Sequence, residues 1–274
     1  MRFLQSILSF FDTSMPTPQP YGWFHILFFV LSFVAAMILC HFPKKQNENH
    51  VWRVVWITAV IVAILEIYKQ INFSFSYENG ISFDYQWYAF PFQFCSTPMY
   101  VGLLVGLVPK GKVQDSLRAY LATYALFAGL SVMVYPNDVF IPTIGINLQT
   151  MICHGSMITI GIYLFYSGSV EMKHKTILKA MPVFAINVAL AAIMNEIAYR
   201  SGLLQRETFN MFFISPYCDP SLPVYSLVQG AVPFPLCLIV YILGFTLAAY
   251  LMLLIAMGVS RVVKKIRKKE VVTA

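Results

Sequence analysis

Residues Trp23 to Lys45 read WFHILFFVLSFVAAMILCHFPKK. From Trp23 to Phe42 no Asp, Glu, Lys or Arg interrupts the run, and Pro43, Lys44 and Lys45 close it. A helix needs about 20 such apolar residues to cross a hydrocarbon core roughly 30 Å thick, and this stretch has that length. The two lysines behind it mark a cytoplasmic flank, because translocating positive charge is disfavoured. The pattern predicts a membrane-spanning helix that starts outside.

Outward from this stretch the same signal repeats over Val51 to Phe73, Ala89 to Val108, Leu117 to Tyr135, Ile146 to Phe165, Ile177 to Tyr199 and Pro233 to Met257. The expected fold is all-α: a polytopic membrane protein built as a seven-helix bundle, with the N-terminus outside and the C-terminus cytoplasmic. Composition agrees. With 58% hydrophobic and 11% charged residues and a mean hydropathy of +0.68, the chain has too little charge to cover a soluble domain of its length. Aromatics reach 16%, as expected where Tyr, Trp and Phe anchor helices at the headgroups.

The orientation rests on the placement of Lys and Arg. The connections after the first, third, fifth and seventh stretches hold Lys44, Lys45, Arg53, Lys110, Lys112, Arg118, Lys173, Lys175 and Lys179, and then Arg261, Lys264, Lys265, Arg267, Lys268 and Lys269. The opposite connections hold Arg2, Arg200 and Arg206, while Lys69 falls inside the second stretch. That alternation puts the first group in the cytoplasm. The net charge of +7 is thus a topogenic and lipid-facing feature, not one solvated patch for nucleic acid, which is not an expected partner.

One membrane domain over 23–257 accounts for most of the chain, with 1–22 as an outer interfacial segment and 258–274 as a basic cytoplasmic tail. Phe3, Leu4, Ile7, Leu8 and Phe11 recur at helical spacing, as in a short interfacial helix, and Met1 to Phe11 is too short for a signal peptide. Five cysteines without paired spacing predict neither a disulfide framework nor a metal site, and no cofactor is implied.

An ionisable group inside hydrocarbon is costly, so each one there is a candidate for function. Glu66, Glu196 and His154 qualify, and helical counting places them and Cys95 in the outer leaflet. Asn147, Thr150 and His154 share a helix face, as do Glu66, Lys69 and Gln70. A polar chamber open to the outer leaflet would satisfy them. The residues alone leave other readings open. Cys95 fits as a small core hydrophobe, His154 as an interhelical hydrogen-bonding group, Glu66 and Lys69 as a self-compensating pair, and Gly102 and Gly106 as close-packing positions.

The run Phe90-Pro91-Phe92-Gln93-Phe94-Cys95-Ser96 resembles the proline-to-cysteine motif of the YwaF-like integral membrane proteins of bacteria, a family related to an animal transmembrane cysteine acyltransferase of ether phospholipids. Further landmarks follow in order: Tyr135-Pro136-Asn137-Asp138, Cys153-His154-Gly155, Asn195, Asn210-Met211-Phe212, Pro216 and Pro233-Phe234-Pro235. Two positions depart from the family pattern: Gln93, where His is common, and Leu236, where an aromatic residue is common. The resemblance implies a seven-helix fold in a bacterial plasma membrane, with Cys95 as the acyl-accepting nucleophile and His154 as its partner. The substrate would be a phospholipid or lysolipid.

A thioester mechanism also needs a group to orient the base and donors for an oxyanion. By depth, Glu66 and Asn147 fit the first role and Gln70, Gln93 and Asn195 the second, with Glu196 nearby as a further polar group. The expectation is a membrane-embedded lipid acyltransferase or acyl hydrolase. The alternative is a non-catalytic receptor or small-solute transporter that uses the chamber as a binding site. Against a transporter, the sequence shows neither repeats nor broken helices.

Overall fold

The computed structural model describes residues 10, 12–41, 48–76, 81–137, 139–202, 209–219, 222 and 225–273, with side chains up to Ile266. The chain is mostly helical. The helices are α1 (Trp23–His41), α2 (Glu48–Asn72), α3 (Thr97–Leu107), α4 (Lys112–Val134), α5 (Ile144–Tyr166), α6 (Lys175–Ser201) and α7 (Phe234–Thr273). The interfacial helix expected over Phe3 to Phe11 lies outside the described residues, as do Arg206 and Asp138.

Six of these helices are long and apolar enough to cross a membrane. The exception is α3, with 11 residues. The unbroken span expected from Ala89 to Val108 is not what forms. Instead a 3₁₀ turn at Trp87–Ala89 gives way to a non-helical stretch, and helix begins only at Thr97. Pro91 is the local cause, because its ring pushes the preceding residue out of the helical region. Phe90 takes φ −49°, ψ 134°. The Gln93 carbonyl accepts the Ser96 and Thr97 amides at 2.8 and 3.2 Å, which starts the helix at that point. Counting depth at a helical rise therefore fails for residues 90–96, and the expectation of no broken helix is corrected.

Two helices form the centre. The most apolar windows of α4 and α5 are 72% buried, against between 17% and 28% for the other four long helices. Helix α5 packs on α1, α2 and α4, while α6 and α7 pack on each other and against α4. Small residues set the close approaches. A Cβ on Gly102 would lie 2.8 Å from the Ala59 Cβ across the α2–α3 contact, and one on Gly129 would lie 2.7 Å from the His154 carbonyl. Helix α4 carries a π-helical bulge over Leu121–Ala125, buried throughout. It accommodates the stacked rings of Tyr120 and Tyr124.

At the end where α5 begins, Met15 N donates to the Pro142 carbonyl and Ile144 N to the Thr13 carbonyl, both at 3.1 Å, which docks residues 13–15 onto the chain leading into α5. A two-stranded antiparallel hairpin, β1 (Phe75–Ser76) and β2 (Ser82–Phe83), stands between α2 and the broken stretch. The long connection after α6 folds back into the bundle. Its 3₁₀ turn, Met211–Phe213, has Met211 and Phe212 fully buried. The basic tail continues as helix to Thr273.

Candidate active site

Glu66 organises one side of the site. It is 5% exposed, and its Oε1 takes the Lys69 ammonium at 2.7 Å and the Gln70 Nε2 at 2.8 Å. Gln149 on α5 donates to its Oε2 at 3.0 Å. Three donors on one buried carboxylate offset its desolvation, and the Gln149 bond ties α2 to α5. Gln70 also donates to the Ala89 carbonyl at 2.9 Å and accepts from the Tyr85 hydroxyl at 2.5 Å. It therefore holds the 3₁₀ turn that leads to the broken stretch, and its amide is fully engaged.

Cys95 lies at the end of that stretch, just before the Ser96 N-cap of α3. Its side chain is half-buried. The next residue, Thr97, is fully buried and shares a 2.7 Å hydrogen bond with the Tyr120 hydroxyl. Across from it on α5, the Cys153 thiol donates to the Cys95 carbonyl at 3.7 Å. The two elements that carry the predicted nucleophile and its predicted base therefore touch at this level.

His154 follows Cys153 and is 6% exposed. Its Nδ1 pairs with the Thr150 carbonyl at 2.7 Å. In the neutral ring that bond fixes the tautomer, with the proton on Nδ1 and a lone pair on Nε2. Nε2 is buried and has no hydrogen-bond partner, so the ring makes no hydrogen bond to Cys95. Lys69 interacts electrostatically with Cys95, Cys153 and His154, and Glu66 opposes it at both thiols, so these groups share one neighbourhood.

Other residues expected at the site are engaged elsewhere. Gln93 donates to the Asn210 carbonyl at 3.0 Å and accepts from Phe212 N at 2.9 Å. Asn195 does the same for Met211, accepting from its N at 2.8 Å and donating to its carbonyl at 3.0 Å. Both amides thus clamp the 211–213 turn. Asn147 is closed on Ile141, accepting from its N at 3.0 Å and donating to its carbonyl at 2.7 Å. Glu196 faces outward, paired with Arg200 and accepting from the Tyr217 hydroxyl at 2.6 Å.

The clamped turn covers the motif. Phe212 packs on Phe92, Phe94 and Phe184, and Tyr241 on α7 donates to its carbonyl at 3.0 Å. Phe212 and Phe213 have φ of 59° and 55°, a left-handed conformation that costs side-chain-bearing residues on the order of 1–3 kcal/mol and survives only where surroundings over-determine it. The cavity that reaches Cys153 is ≈ 30 Å³, bounded by Thr58, Pro98, Met99 and Ser156 among others. That holds about two waters; on the side that Phe212 covers, the buried 211–213 turn acts as a plug over the 90–96 motif.

The sequence reading missed Gln149. It lies four residues before Cys153, on the face turned toward α2 and the broken stretch, and that spacing was the available signal. Among the described residues no three His, Cys, Asp or Glu side chains group to hold a metal ion.

Six bilayer-length apolar helices, around a buried histidine with a free ring nitrogen and a cysteine just before a short apolar helix, define the class: a polytopic α-helical integral membrane protein. Residues 17–257 match the profile of the TMEM164 family, and the chain belongs to that family. No curated protein and no solved structure matches it.

Proposed function

We propose that this protein is a membrane-embedded lipid acyltransferase or acyl hydrolase that works through a Cys95 thioester with His154 as the base. The observation that carries this reading is the His154 ring: Nδ1 held by a carbonyl, Nε2 buried and unpartnered, one residue from the cysteine that touches Cys95. A buried base with a fixed tautomer and no competing partner is suited to proton transfer. The resemblance of the 90–96 motif to the YwaF-like proteins supplies the reaction class.

In the first step His154 Nε2 takes the Cys95 proton, directly or through one water, as a substrate ester displaces the plug. The thiolate adds to the ester carbonyl, the C–S bond forms and the C–O bond breaks. The leaving lysolipid alkoxide recovers the proton from the imidazolium. In the second step a lysolipid hydroxyl or water attacks the thioester, and the thiol is regenerated. Lys69 is the nearby cation, with its ammonium held by Glu66 at 2.7 Å, while the amides of Gln70, Gln93 and Asn195 are engaged with other partners. A seven-crossing topology fits the same reading, with the irregular 90–96 stretch and α3 after it together making one crossing. The N-terminus is then outside, 258–274 is a cytoplasmic tail, and the setting is a bacterial plasma membrane.

The test is labelling of the protein in membranes with a radiolabelled acyl donor or a fluorophosphonate probe. Cys95→Ala should abolish the label, and Cys95→Ser should remove the hydroxylamine-sensitive thioester, with insertion unchanged. Undiminished turnover in Cys95→Ala would sink the mechanism. One observation favours a second reading. A broken span is a common binding device in transporters, and a solute-binding protein would bind equally well with Ser at 95.

A further inference from the structure

At the end of the bundle that carries the basic tail, α7 stands away from the α4–α5 pair. It is tied to α4 by the 2.6 Å hydrogen bond between Thr246 and Tyr124. Beyond Tyr250, which bonds His174 at 2.6 Å, α7 borders a groove of ≈ 880 Å³. The volume falls in the upper part of the roughly 300–1,000 Å³ range of ligand pockets. Leu126 and Leu130 of α4, Ile162 and Phe165 of α5, and Met252 and Ile255 of α7 line it. The wall is apolar and lies between membrane-length helices, so whatever fills it is apolar over most of its length.

One end differs. Glu171 and Lys173, from the connection between α5 and α6, meet Lys264 of α7 there. Lys173 and Glu171 pair at 3.0 Å, and among the described residues no acid pairs with Lys264. A third cation stands behind them. Arg118 is 3% exposed and donates through Nη1 to Ser169 Oγ at 3.1 Å, in the same connection, between groove residues Gly168 and Val170. Its Nε and Nη2 are buried without a hydrogen-bond partner, and among the described residues no carboxylate pairs with it. The field of a buried, unpaired guanidinium is weakly screened. Three cations against one acid leave this end with an excess of two positive charges.

We propose that the groove is a binding site for an anionic glycerophospholipid. Its acyl chains lie along α7 against α4 and α5, and its phosphate sits at Lys173 and Lys264. Basic pockets between membrane helices select anionic headgroups in this way. A zwitterionic lipid would fill the same apolar wall but leave the excess charge unmatched.

The full-length protein, purified from mixed micelles holding equal amounts of phosphatidylglycerol and phosphatidylcholine, is washed and its retained lipid measured by mass spectrometry. Phosphatidylglycerol should be retained about tenfold over phosphatidylcholine, and K173Q/K264Q should erase that preference. Ala256→Trp, which places a ring in the groove wall, should displace both lipids while the thermal unfolding midpoint is kept. Equal retention of the two lipids by the unaltered protein would mean unselective annular lipid and overturn the proposal. So would phosphatidylglycerol retention that survives both variants. The readout is bound lipid and not turnover, so it succeeds or fails independently of Cys95.

Discussion

His154 and Cys153 are consecutive, yet they do different things. The thiol of Cys153 closes a contact to the backbone of the broken stretch, whereas His154 holds one ring nitrogen on its own helix and leaves the other free. His154→Gln should therefore lower acyl-enzyme formation by about 10²–10⁴-fold, the usual range for a general base. Cys153→Ala should keep more than half of the wild-type rate. Rapid-quench labelling of both variants distinguishes the roles, and equal losses would mean that the whole turn is merely structural. Glu66 gives a second residue-scale test. Glu66→Gln leaves Lys69 without its 2.7 Å partner and should destabilise the protein by about 3–5 kcal/mol. Adding Lys69→Met should restore much of that loss, read as recovery of the denaturation midpoint in detergent.

At the scale of elements, the broken stretch and the 211–213 turn depend on each other. Gln93 and Asn195 supply the amides that hold the turn, and the rings on either side of Gln93 pack on Phe212. Non-helical backbone at membrane depth is tolerated only where protein buries it, and the turn provides that cover. Asn195→Ala should remove two hydrogen bonds and leave Met211 backbone groups unsatisfied, at about 1–3 kcal/mol. Hydrogen exchange should then rise across 209–218 and across 90–96 together. Exchange confined to 209–218 would show that the turn is not what holds the motif. Little of this pairing was legible beforehand. Pro91 announces a break, but the partner of an amide depends on what packs across from it.

For the whole molecule, the charge distribution and the fold can be tested in one experiment. Single cysteines placed in a Cys-free background at Glu171, in the α5–α6 connection, and at Asp219, in the loop after α6, should react oppositely with an impermeant maleimide on intact cells. Position 219 should label and 171 should not. Labelling of both, or the reverse pattern, would overturn the orientation and, with it, the assignment of the tail to the cytoplasm.

The sequence by itself determined that the chain lives in a bilayer, where its long apolar helices run and how unevenly its positive charges fall between connections. Those properties follow from the transfer of each segment out of water, which is nearly additive along the chain and needs no knowledge of neighbours. Only the tertiary structure decided that α3 is an 11-residue helix, that Gln149 and not Asn147 reaches Glu66, and that Gln93 and Asn195 clamp a plug. It also decided that the His154 ring keeps a free nitrogen. Each of these depends on which side chains from distant segments meet where water is absent and a polar atom must take whatever partner the packing brings.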